Sequence, residues 1–92
     1  MPDERLEERH LRLLRAIDEV ARHSPAGVST MYQAAEKVGL DAVGKEADRE
    51  EFVQLVRELK EAGYVDVQGI TYMGLRASYS ATEEGRHRLE ES

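Results

Sequence analysis

Residues 79–89 read "YSATEEGRHRL", and the fold turns on where that stretch divides. Tyr79, Ser80 and Ala81 continue an alternating segment that suits a strand. Glu83 onward is charged and suits a helix. Thr82 stands at the join. A threonine hydroxyl there can take one of the amides that the first turn of a helix leaves unpaired. The stretch therefore predicts a strand that ends at Ala81 and a short helix, "EEGRHRLEES", capped by Thr82. Gly85 falls in the first turn of that helix, where either close packing or a need for little bulk explains it.

Working back from this point, residues 64–81 read as two strands. "YVDVQG" follows a glycine directly and is rich in strand formers. "ITYMGLRASYSA" continues as strand, loop and strand, with Gly74 and Arg76 near the tip. Before the hairpin, "DREEFVQLVRELKEAG" has a helical period, with Phe52, Val56 and Leu59 as its buried stripe and Leu55 beside them. Asp48 is its expected N-cap, with Glu51 three residues on as in a capping box. Gly63 ends it. "LDAVGKEA" connects it to a shorter helix, "MYQAAEKVG", which Ser29 or Thr30 can cap and Gly39 can end.

The first helix spans residues 3–23. Leu6, Leu13, Ile17 and Val20 recur at helical spacing, with His10, Leu14 and Ala21 at the edges of the same face. Pro25 and Gly27 in "HSPAG" end it. The expected order is helix, helix, helix, hairpin, helix: an α+β chain, mostly α.

Composition narrows the function classes. Ninety-two residues fit one domain with a modest core. Charged residues make up 35% against 40% hydrophobic, which points to a globular chain with a heavily solvated surface. No apolar run approaches the roughly 20 residues of a membrane helix. "MPDERLEERH" lacks the apolar centre of a signal peptide. These features predict a cytoplasmic protein with no membrane partner. Cysteine is absent, which removes disulfides, thiol nucleophiles and thiolate metal sites. The net charge of −6 counts against a dominant nucleic-acid footprint, although an acidic chain can carry one basic face.

Two stretches carry a family resemblance. "LVRELKEAGYV", residues 55–65, resembles the end of the third helix running into the wing of winged helix-turn-helix proteins. "YSATEEGRHRL" resembles the step from wing to helix in MarR- and PadR-like regulators, where Leu-Thr-Glu-Glu-Gly is usual and Ala81 here replaces the leucine. The resemblance covers roughly Leu11 to Leu89. It implies a winged helix: a three-helix core, a two-stranded wing and a short carboxy-terminal helix. It also implies a DNA-binding transcriptional regulator that needs no cofactor, with its third helix in the major groove and its wing against the backbone.

Carried onto this sequence, that role falls to Lys45, Arg49, Val53, Gln54 and Arg57, with Arg76 at the wing tip. Arg49, Val53 and Arg57 are spaced i, i+4, i+8 and share one face. Arg49 has the chemistry for guanine and Gln54 for adenine. The charge balance opposes this role. From Lys45 to Ala62 there are four positive and six negative side chains, a net of −2. The segment from 64 to 82 carries only Asp66 and Arg76. Arg49 and Arg57 read equally well as a solvated face paired with Glu46, Glu50 or Glu61.

Winged helices also serve as protein-protein interaction modules, which is the alternative expectation. Leu11, Leu14 and Arg15 on the first helix offer a surface for dimerisation or for another partner. Tyr72 and Met73 could add a contact patch. A homodimer would suit a regulator that reads two half-sites. An enzyme is not expected: His10, His23 and His87 are scattered, and no HExxH, phosphate loop or nucleophile motif is present. Glu83 and His87 alone make a weak metal pair.

Overall fold

A computed structural model describes residues 7–69 and 77–91. Four helices and three short strands follow one another as α1 (Glu8–Arg22), β1 (Ser29–Thr30), α2 (Met31–Lys37), α3 (Glu46–Glu61), β2 (Val65–Gln68), β3 (Ser78–Ala81) and α4 (Glu83–Glu91). The fold is α+β and mostly helical. The expected helix start at residue 3 and the residues between the hairpin strands, Tyr72, Met73, Gly74 and Arg76 among them, lie outside the described residues.

Helix α1 forms the centre. It packs against α2, α3, α4 and the sheet, so it buries a wider arc than a single stripe. Leu13, Leu14 and Ile17 have no exposed surface, and Ala16 and Ala21 are nearly as enclosed. This corrects the expectation for Leu14. It belongs to the core of its own chain and is not a surface for a second one, because neighbours cover α1 on that side too.

The sheet has three strands in the order β1-β3-β2, all antiparallel. The expected two-stranded hairpin is present, with Val65 opposite Ala81 and Gln68 opposite Ser78. The added strand is β1, whose Ser29 lies opposite Tyr79 and Thr30 opposite Ser78. Two residues are too few to show a period, and their partner lies about fifty positions away, so nothing local announced this strand. Thr30, not Ser29, caps α2. Its hydroxyl accepts the Gln33 amide N–H at 3.2 Å, and the Gln33 side-chain oxygen accepts the Thr30 N–H at 3.1 Å.

Helix α3 starts two residues earlier than the expected Asp48 cap. Lys45 is the N-cap residue and makes no side-chain cap bond. The Asp48 carboxylate instead accepts the Asp41 amide N–H at 2.8 Å, and the Asp41 carboxylate accepts the Gly44 amide N–H at 2.8 Å. The connection is thereby folded into a turn against the start of α3. Phe52, Leu55, Val56 and Leu59 face inward as expected. Phe52 meets Tyr79 edge to face, with ring centroids 5.5 Å apart, a geometry favoured by the ring quadrupoles.

The end of α3 and the start of α4 are one junction. Gly63 adopts φ +86°, which an L side chain rarely does. Its N–H bonds to the Lys60 carbonyl and the Tyr64 N–H to the Leu59 carbonyl, the paired bonds of a Schellman ending. Thr82 completes the join. Its hydroxyl donates to the Gly63 carbonyl at 2.7 Å and accepts the Gly85 N–H at 2.9 Å, while its own N–H bonds to the Tyr64 carbonyl at 2.9 Å. A Cβ on Gly85 would run into that same Tyr64 carbonyl oxygen. Close packing is therefore the reason for the glycine. The stretches 55–65 and 79–89 touch here.

Candidate nucleic-acid interface

The outer face of α3 runs beside β2 and β3 and leaves an open groove of about 710 Å³ between them. Arg49, Val53, Gln54 and Arg57 line it. The helical period alone brings these four together, because α3 is continuous through all of them. Val56, Val67 and Tyr79 supply the apolar floor. Burial raises the Tyr79 phenol to about 12, so the floor is uncharged at neutral pH. Lys45 is exposed ahead of α3 but does not line the groove. Arg76 lies outside the described residues.

Lys60 also lines the groove and was not among the expected residues. Its signal was in the sequence: it follows Arg57 at i+3, which keeps it on the same face.

Folding sorts the charges of α3. The groove receives Arg49, Arg57 and Lys60 with only Glu46 and Glu50. The remaining acids of the helix lie elsewhere, and most have other work. Asp48 holds the Asp41 amide. Glu51 lines a small cleft with Arg9 and Arg12 on the α1 side. Glu58 accepts a bond from the buried His10 ring, Nε2 to Oε1, at 2.6 Å, and this bond is the main reason its carboxyl lies below the usual 4.5. The net of −2 counted from Lys45 to Ala62 is therefore not the charge that the groove presents. Among the described residues, no ion pair engages Arg49, Arg57 or Lys60. The pairing of Arg49 or Arg57 with neighbouring glutamates is not formed.

Ion pairs at Asp18 and Glu19 tie elements together away from the groove. Asp18, almost fully buried, is held by Arg22 at 3.2 Å and Arg86 at 3.5 Å, linking α1 to α4. Lys37 meets Glu19 at 2.7 Å between α2 and α1, and this contact lowers the Glu19 carboxyl.

The other expected surface is reduced. Leu11 is half-buried against the core and Arg15 is exposed, while Leu14 is internal. Among the described residues, the large apolar side chains that reach solvent most are Tyr32, 42% exposed, and Val43, 71% exposed. Both line a hollow between α2 and the connection, with Leu40. No group of three His, Asp or Glu side chains among the described residues is arranged to hold a metal. No helix among them is long and apolar enough to cross a membrane.

No protein-family model, no curated protein and no solved structure matches the chain.

Proposed function

We propose that this chain is a winged-helix transcriptional regulator that contacts duplex DNA through α3 and the hairpin. The element order and the antiparallel sheet are compatible with that plan. The observation that supports the reading most is the sorting of charge on α3. Among the described residues, Arg49, Arg57 and Lys60 line one open groove without ion-pair partners, facing two acids there, Glu46 and Glu50, while Asp48 and Glu58 of the same helix are bonded to other groups. Duplex binding depends on neutralising phosphates, and unpaired cations do this without first breaking a pair. Gln54 and Arg49 on that face carry the donor and acceptor sets that read base edges in the major groove.

The test is a titration against a random-sequence duplex pool at low salt, with sequencing of the bound fraction. One enriched motif, lost on Arg49→Ala, supports the reading. No binding at about tens of micromolar protein, within the range of ordinary non-specific contacts, overturns it.

Tyr32 and Val43 favour a second reading, a protein-protein module without DNA contact. That reading predicts that Val43→Asp breaks a complex which Arg49→Ala leaves intact.

A further inference from the structure

His10 is buried, with 1% of its surface exposed, and lies at the start of α1 away from the groove. Both ring nitrogens are engaged. Nδ1 accepts the Glu7 backbone N–H at 2.9 Å. An amide can only donate, so Nδ1 carries a lone pair and the proton of the neutral ring sits on Nε2. That proton is given to Glu58 Oε1 at 2.6 Å. The other carboxylate oxygen, Oε2, faces the Gln54 side-chain nitrogen at 3.4 Å. An ionised carboxylate accepts and never donates, so Gln54 must turn its NH2 group toward Glu58. Its carbonyl oxygen and second N–H are left for the groove. One acceptor beside one donor is the pair that matches N6 and N7 of adenine.

We infer that His10 and Glu58 are positioning residues that fix which edge of the Gln54 amide faces the groove, and so set an adenine preference at one position of the bound duplex. The inference rests on the DNA reading above. His10 already closes the capping box of α1 with Glu7, and the inference adds a second use for its other ring nitrogen.

Glu58→Gln makes the decisive change, because it keeps the shape and swaps one acceptor for a donor. The buried His10 Nε2–H loses more by going unpaired than the exposed Gln54 amide does. The new amide therefore turns its oxygen to His10 and its NH2 to Gln54. Gln54 must answer with its carbonyl oxygen, and only donors then face the groove. Donors suit O6 and N7 of guanine.

The experiment is the duplex-pool selection run in parallel on the wild type, Gln54→Ala and Glu58→Gln, with thermal unfolding of each. Gln54→Ala should erase adenine enrichment at one position. Glu58→Gln should lower it about tenfold at that same position, toward guanine, with enrichment elsewhere unchanged. Adenine enrichment that survives Glu58→Gln, or a uniform loss at every position, overturns the inference while the DNA reading stands. A wild type that recovers no duplex overturns the DNA reading and the base preference with it. The orienting chain has its own check, independent of DNA and of any variant. The 15N resonances of wild-type His10 at neutral pH must report a bare Nδ1 and a protonated Nε2. A ring protonated on Nδ1 overturns the inference.

Discussion

Helix α3 has two long faces built from the same sixteen residues, and they answer to different forces. The inner face, Phe52, Leu55, Val56 and Leu59, is defined by exclusion of water and is packed against α1 and the sheet. The outer face, Arg49, Val53, Gln54, Arg57 and Lys60, borders an open groove. Close packing makes the inner face intolerant of lost volume. Hydration and weak screened charges leave Arg49, Arg57 and Lys60 on the outer face free to vary with little cost to folding, while Val53 packs partly against the core. Stability and the proposed activity should therefore separate cleanly along one helix.

Phe52→Ala should have the largest effect. It removes a ring with no exposed surface that also meets Tyr79 edge to face. Such truncations cost about 3–5 kcal/mol, a large share of the stability of a domain this small. Urea unfolding should register that loss, whereas Arg57→Ala should stay within about 0.5 kcal/mol of the wild type. Similar losses for both would break the comparison.

On the outer face, the expected loss is in binding. Arg49→Ala should weaken specific duplex binding by about 1–3 kcal/mol and relax preference at one base pair. Lys60→Ala should weaken all duplexes about alike and reduce the salt slope by about one phosphate contact. Melting curves of both variants should overlay that of the wild type. A salt slope that neither substitution alters would remove these residues from the interface.

Thr82 lies where α3 ends and α4 begins, so it bears on stability alone. Thr82→Ala removes the cap on Gly85 and the bond to the Gly63 carbonyl, at a cost of about 1 kcal/mol. Thr82→Ser, which keeps the hydroxyl, should recover most of it in the same thermal melt.

The smallest effect is at the border between the two faces. The bond from His10 holds the Glu58 carboxyl below its usual 4.5. A depressed carboxyl contributes stability above its unfolded value, and that contribution is lost as pH falls through the lower, folded value. Stability measured by denaturant should therefore decline as pH drops below about 4.5. Glu58→Gln should flatten that decline slightly. An unchanged acid limb would show that the pair contributes nothing to folding.

The sequence resolved whatever depends on neighbours along the chain. The 3.6-residue period marked the inner stripe of α3, and the same period grouped Arg49, Val53 and Arg57. Thr82 was legible as a cap because a hydroxyl beside a helix start has a local use. Gly63 was legible because a helix that turns into a strand without a pause needs a positive φ. Asp48 misled for the opposite reason. Its local pattern matched a capping box, yet the carboxylate found a better donor in Asp41, seven residues back.

Distance in sequence hid the rest. Strand β1 exists only because β3 returns to pair with it. Leu14 was read at the edge of one stripe, but α1 is enclosed from several directions. A count from Lys45 to Ala62 showed a net of −2, and no count could reveal that His10 engages Glu58 while, among the described residues, no ion pair engages Arg49, Arg57 or Lys60. Gly85 allowed two explanations until the Tyr64 carbonyl came to rest against it. Local order along the chain set the helices, the two hairpin strands and the inner stripe of α3, because backbone period, capping and turn chemistry act over a few residues. Which charges pair with one another was settled only on folding, because pairs such as His10 with Glu58 and Asp18 with Arg86 join side chains far apart along the chain.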